Sequence, residues 1–200
     1  VSAIGITGGV ATGKSSFVRA LLKHLPAELF DADQCVHEML ACDATLHAEI
    51  REAFGSGVMT ASGSLNRAAL REIVFRDEAA RRTLEALIHP RVRAVWQPQA
   101  VAAMKSREIF LCDIPLLYET HAEAEFDRAL VVACSPEVQR QRLRENRSLA
   151  SELIERIIAA QTDLLAKVAR ADHVVWNDGS PTALDAQARL FASYLREFYG

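Results

Sequence analysis

The sequence predicts an α/β three-layer sandwich built on a parallel sheet, and three observations carry that prediction. Short apolar runs rich in aliphatic and β-branched residues recur along the chain. Helical periodicity fills the stretches between them, and strand alternating with helix is the signature of a parallel sheet covered on both faces. A glycine-rich loop stands between the first run and the first helical segment, where such folds place their ligands.

Taken in order, the buried strands are expected at Ala3 to Thr7, Ile109 to Cys112, Ala129 to Ala133 and Val174 to Trp176, with Leu29-Phe30-Asp31 as a weaker fifth. Phe17, Val18, Leu21, Leu22 and Leu25 recur at helical spacing after the loop. Ser135-Pro136 and Ser180-Pro181 each set an N-cap before a first-turn proline, so helices begin at both. The alternation breaks between Gln34 and Ser106, where Ala68 to Phe75, Ala79 to Ile88 and Val92 to Met104 all read as helix. Pro98 predicts a kink or a late start for the last of these. Residues 34–106 are therefore expected to be a helical insertion in an otherwise single domain. A second, short insertion, Glu145 to Ala150 within a lid region spanning 140–152, is expected to be mobile.

Composition narrows the function classes. The 200 residues are 50% hydrophobic and 24% charged, which suits one sizeable core. The net charge of -3 provides no basic field for nucleic acid. No apolar stretch approaches the ~18 residues of a membrane span, and Gly8 interrupts the first apolar run too early for a signal peptide. Cys35, Cys42, Cys112 and Cys134 form no Cys-x-x-Cys pair, and six scattered histidines show no metal-ligand spacing. A cytoplasmic protein acting on small molecules is the expectation.

The chemistry concentrates in Gly8-Gly9-Val10-Ala11-Thr12-Gly13-Lys14-Ser15, which fits the P-loop pattern. Glycines permit a turn that aims successive N–H groups at a phosphate, and the helix that follows adds its positive end. Gly9 to Ser16 would hold the phosphates of ATP, with Lys14 on the β- and γ-phosphates and the Ser15 hydroxyl on Mg²⁺. Asp33, in Asp31-Ala32-Asp33 after the second strand, is a candidate base or magnesium-shell carboxylate, and Asp31 a weaker one; a helix N-cap is the alternative reading. Asp113, ending a strand, is a candidate for the magnesium shell or a turn. Arg140, Arg142, Arg144 and Arg147 form a basic cluster before and within the lid. A solvated helical face is the ordinary reading of such a run, but phosphoryl transfer needs cations on the γ-phosphoryl oxygens.

With those residues in view, the chain resembles the dephospho-CoA kinases. Ile6-Thr7-Gly8-Gly9 leading into Gly13-Lys14-Ser15 looks like the family's start, and Phe30-Asp31-Ala32-Asp33 like its acidic signature. Gly63 to Arg67, Leu70, Val74-Phe75, Leu84-Glu85 and Ile88-His89-Pro90 match its helical segment, and Ile114 to Glu119 its Pro-Leu-Leu motif. Ser135-Pro136, Gln139, Arg142, Gln161, Ala171-Asp172, and Asn177 before Gly179 recur in order. The resemblance implies that ATP phosphorylates the ribose 3′-hydroxyl of dephospho-CoA, with Asp33 as general base and the acceptor bound by the helical insertion. It places Asn177 near the adenine, and Arg67, His89, Pro115, Leu116 and Leu117 at the acceptor. Two positions depart from the pattern. Ala11 stands where the family usually has glycine, and alanine fits there without strain only at negative φ. Asn146 stands where the lid commonly has arginine, four residues after Arg142. That leaves Arg142, held on its helix, and Arg147, in the lid segment, as the candidate cations.

Other P-loop small-molecule or nucleoside monophosphate kinases share the loop and differ in the insertion. A switch-type guanine nucleotide module would carry Asn-Lys-x-Asp, and Asn177-Asp178 lacks the lysine. A nucleotide-binding regulator without turnover stays open at this stage.

Overall fold

In the computed structural model, residues 2–147, 151–159 and 162–199 are described. Five strands share one sheet in the order β2-β3-β1-β4-β5: β1 (Ala3–Gly8), β2 (Glu28–Asp31), β3 (Phe110–Asp113), β4 (Arg128–Ala133) and β5 (His173–Trp176). All five fall on the expected runs, and the pairings β1–β3, β1–β4 and β4–β5 are parallel. β1 and β3 are buried along their full length. Burial on both faces explains why they read as unbroken apolar runs rather than as alternating ones.

The chain divides into two compact units, Val1–Phe30 with Gln99–Gly200, and Asp31–Pro98. In the first unit, α1 (Lys14–His24) and α9 (Pro181–Tyr199) cover the sheet. Phe17, Val18 and Leu21 from α1 meet Leu184, Ala188, Ala192 and Leu195 from α9 over Ile4, Ile6, Leu130 and Val132. The same unit holds α6 (Pro136–Arg147), α7 (Ser151–Ala159) and α8 (Leu164–Arg170). The Ser-Pro starts behave as read: Ser135 Oγ accepts from the Val138 amide at 3.4 Å and Ser180 Oγ from the Ala183 amide at 3.2 Å.

The second unit comprises α2 (Ala32–Cys42), α3 (Ala44–Phe54), α4 (Arg67–Arg76) and most of α5 (Glu78–Ser106), around buried Leu46, Ile50, Val58 and Leu70. Here one expectation fails. The two helices predicted either side of His89-Pro90 are a single 29-residue helix running through both Pro90 and Pro98. A proline ring crowds the carbonyl four residues back and weakens the bonds around it. The Leu87 carbonyl beside that point accepts from Arg91 Nη1 at 2.7 Å, and Arg91 Nη2 is in turn paired with Glu49. The Arg91 side chain thus ties the turn around Pro90 to α3, and the helix continues through it.

The register of the first unit positions the site. Ile6 lies opposite Asp113, Gly8 opposite Val132 and Ala133 opposite Trp176, so β1, β4 and β5 end within a residue of one another and β3 ends two residues earlier. Among the described residues, no helix is long and apolar enough to cross a membrane.

Candidate active site

At the end of β1 the chain enters the loop under tight steric control. A Cβ on Gly8 would stand 2.4 Å from the Val132 carbonyl oxygen of the neighbouring strand. Gly13, at φ 88, is the N-cap of α1, and a Cβ there would stand 2.1 Å from Asn177 Nδ2. Both positions exclude every other residue. Ala11, which departs from the family's glycine, takes the strained side of that condition, with φ 58. A left-handed alanine carries a penalty of roughly 1–2 kcal/mol, which the surroundings must offset.

The surroundings capture the loop's carbonyls. Gln139 Nε2 donates to the Val10 carbonyl at 2.7 Å, Asn177 Nδ2 to the Thr12 carbonyl at 2.8 Å, and Arg142 Nη1 to the same Thr12 oxygen at 3.1 Å. Thr12 Oγ1 reaches back to the Gly9 carbonyl at 2.9 Å. Each peptide is planar and trans, so a carbonyl held on one side turns the following N–H to the other. The amides of Ala11 and Gly13 are therefore aimed away from their captors. No side chain caps α1 and no acidic residue occupies its first turn, so its positive end faces the same loop.

Lys14 is paired with Asp113, and both side chains are largely buried. The pairing follows from the β1–β3 register, which delivers Asp113 to the carboxyl edge beside the loop. Ser15 and Ser16 are exposed at the start of α1. Of the basic cluster, Arg142 turns inward and also donates Nη2 to the Asn177 carbonyl at 2.7 Å. Arg140 instead pairs with Glu155 of α7 at 2.7 Å, and Arg144 is exposed. Burial pushes the Cys134 thiol up to about 11 despite the opposing Arg142 charge, so it is protonated at neutral pH. The α6 helix extends through Arg147, which makes 145–147 helical rather than loop; the Arg147 side chain, Gln161 and residues 148–150 lie outside the described residues.

Behind the loop, the segment after β3 is pinned by a buried ion pair that sequence reasoning missed. Lys167 of α8 is fully buried. Its ammonium donates to Glu119 Oε1 at 2.9 Å and to the Pro115 carbonyl at 3.1 Å, and Thr7 Oγ1 donates to that same carbonyl at 2.8 Å. Pro115 and Leu116 are half-buried. Leu117, expected at the acceptor, is fully buried beneath Gly5 and makes no ligand-facing surface. Gln139 and Lys167 were not singled out for their chemistry because each acts across more than fifty residues of chain. Gln139 did leave one signal, a polar residue four before buried Leu143 on the same helical face.

In the second unit, Asp31 is the N-cap of α2, accepting from the Gln34 amide at 2.9 Å. The capping role thus belongs to Asp31 and leaves Asp33 exposed in the first turn. Arg67 opens α4 with Nη2 3.1 Å from His37 Nδ1. His89 is half-buried in α5, and burial lowers its pKa against the pull of Glu85. Its imidazole is neutral at neutral pH and offers hydrogen bonds rather than charge.

A parallel sheet with a phosphate-shaped loop at its central strand defines a P-loop nucleotide-binding protein, and the comparisons narrow the class to kinases. The dephospho-CoA kinase family model matches residues 2–182. The dephospho-CoA kinase of Anaeromyxobacter dehalogenans is 41% identical over 96% of this chain and 92% of its own. A Thermus thermophilus crystal structure, 30% identical, superposes with a TM-score of 0.77 over 100% of this chain and 98% of that one. The dephospho-CoA kinase of Campylobacter jejuni, 23% identical, shares the fold with a TM-score of 0.67 over 97% of both chains. This chain belongs to the dephospho-CoA kinase family and is a nucleotide-binding transferase of coenzyme A biosynthesis.

The Lys167–Glu119 pair generates a pH prediction. Burial alone would raise the Glu119 carboxyl, but the Lys167 hydrogen bond and charge, with backbone and Thr162 donors, hold it below the usual range. A depressed carboxyl contributes stability above its unfolded value, near 4.3, and loses it as pH falls through the lower folded value. Glu119→Gln leaves a buried ammonium without its counter-charge and is expected to cost about 3 kcal/mol at pH 7. Urea unfolding as a function of pH should show that difference shrinking as pH falls below the unfolded glutamate value.

Proposed function

We propose that the chain transfers the γ-phosphoryl group of ATP to the ribose 3′-hydroxyl of dephospho-CoA, giving coenzyme A and ADP. The observation that carries the acceptor is the family match over residues 2–182; the nucleotide half rests on the loop whose carbonyls are held from outside while its amides and the α1 N-terminus face the other way. Residues Gly9 to Ser16 bind the phosphates, Lys14 neutralises the β- and γ-phosphates, and Asn177, locked to the loop, supports the nucleotide from the adenine side. The carboxylate of Asp113 and the hydroxyl of Ser15 are hard oxygen donors, a set that suits Mg²⁺. These two residues would hold it, and it would neutralise charge on the bridging phosphate oxygens.

In the proposed reaction Asp33 takes the proton from the 3′-hydroxyl as that oxygen forms its bond to the γ-phosphorus. The bond from the γ-phosphorus to the β–γ bridging oxygen breaks, and ADP leaves with the electron pair. Arg67, His89, Pro115 and Leu116 contribute to the acceptor side, with Leu117 supporting that turn from the core. Arg147 supplies the γ-phosphoryl cation in the lid, and Arg142 acts through the loop it braces. The cytoplasmic location belongs to the same proposal and rests on four free thiols, which suit a reducing compartment.

Two tests follow from the assigned roles. Asp33→Asn should retain ATP binding and lose roughly 10²–10⁴ in turnover, the worth of a positioned base; lost ATP affinity with intact turnover would instead give Asp33 a place in the magnesium shell. Among the arginines, Arg147→Ala should mainly lower kcat and Arg142→Ala mainly raise KM for ATP, each at least ~10-fold, because a γ-phosphoryl cation acts on the transition state. Arg144→Ala should stay within about two-fold, as expected for an exposed residue. Steady-state kinetics on the three variants distinguishes these roles from a solvated basic face, which would give three small and equal losses.

A further inference from the structure

We infer that Gln139 is a positioning residue for nucleotide binding, whose carboxamide holds the Val10 carbonyl and so keeps Ala11 in the left-handed conformation the loop requires. The inference rests on the proposed ATP-binding role of this loop and adds to it a residue with no phosphate contact of its own.

The geometry is specific to one peptide. Gln139 is 6% exposed, and its Nε2 lies 2.7 Å from the Val10 oxygen. The same nitrogen stands 3.0 Å from where a Cβ on Gly9 would be, so the carboxamide rests directly against the loop backbone. The orientation of the carboxamide follows from chemistry: a carbonyl accepts, so the amide nitrogen must face it. Arg142 and Asn177 both serve the Thr12 carbonyl, two peptides further on, and Arg142 Nη1 also reaches the Ala11 carbonyl at 3.5 Å. At the Val10 carbonyl the donor is Gln139.

That peptide decides the backbone at residue 11. The plane linking Val10 and Ala11 is rigid, so fixing its carbonyl fixes the Ala11 amide and constrains φ at Ala11, observed at 58. An alanine released from that hold favours negative φ, and returning there flips the plane and withdraws the Ala11 amide from the cradle. A glycine released from it visits both signs of φ about equally.

The base of the device is itself anchored. Gln139 sits in the second turn of α6, with its amide bonded to the Ser135 carbonyl at 3.0 Å. The Ser135 amide donates to Asp178 Oδ1 at 2.7 Å, and the Asn177 amide to the Ala133 carbonyl at 2.8 Å. The carboxyl ends of β4 and β5 therefore fix where the Gln139 side chain begins.

Population arithmetic gives the size of the effect. Apparent affinity falls by the fraction of molecules whose loop is binding-competent. With Ala11, loss of the Gln139 donor should leave on the order of one loop in ten competent, and with glycine at that position about one in two. The experiment measures the Kd for ATP by isothermal titration calorimetry in wild type and Gln139→Met, each with and without Ala11→Gly. Methionine keeps side-chain length, removes the donor and adds no charge beside the phosphates. In the Ala11 background it should weaken ATP binding about 10-fold, and in the Ala11→Gly background only about two-fold. KM for dephospho-CoA should move less than two-fold throughout. Equal losses in the two backgrounds, no loss in either, or a matching rise in KM for dephospho-CoA would overturn the inference. Failure of the wild type to bind ATP would overturn the functional reading as well, so the two failures are distinguishable.

Discussion

Backbone carbonyls of the loop held from outside are the constraint on which the rest of the site depends. A loop that binds phosphate through its amides must hold its peptides in orientations an isolated chain would not keep. The chain supplies that hold from two places, the α6 face carrying Gln139 and Arg142, and Asn177 just beyond β5. Both are brought to the loop by the same register, in which β1, β4 and β5 end together. The sheet is therefore the frame that sets distances at the phosphate site. The helices around it provide burial and a few long-range donors.

The charges of the site follow the same economy. Lys14 and Asp113 sit side by side because β1 and β3 are neighbours. One layer back, Lys167 and Glu119 fix the segment that follows Asp113, sharing the Pro115 carbonyl with Thr7. Burying an ammonium and a carboxylate is weak evidence for stability, since desolvation offsets much of their attraction. Its value here is positional: a fully buried lysine with two fixed acceptors allows the turn after β3 few alternatives. Cys134, kept neutral by burial, adds no charge beside Arg142.

What the sequence disclosed and what it hid divide along a physical line. The strands and the loop were legible because their signals are local: apolar runs, two Ser-Pro starts, and glycines spaced for a phosphate turn. Ala11 stood out as a departure from the family's glycine, but a single alanine carries no local sign of which φ it takes; the donor on the preceding carbonyl, Gln139, lies far along the chain. Lys167 carries no local mark of burial, because its partners Glu119 and Pro115 lie far away in the chain. Leu117 was assigned by motif to the acceptor, but motif position does not reveal which side of a turn is buried. The His89-Pro90 step reads as a helix end by propensity, yet the helix runs through it, with Arg91 paired across to Glu49 of α3. In each case a tertiary contact outweighed a correct local tendency.

The central claim is that this loop serves phosphoryl transfer to dephospho-CoA. The most direct measurement is ADP release by the wild-type protein with ATP and Mg²⁺, with and without dephospho-CoA, followed by mass spectrometry of the acceptor. ADP release should be slow without acceptor and strongly stimulated by dephospho-CoA, with coenzyme A formed in step with ADP. ADP release indifferent to dephospho-CoA, or faster turnover of a nucleoside monophosphate, would contradict it.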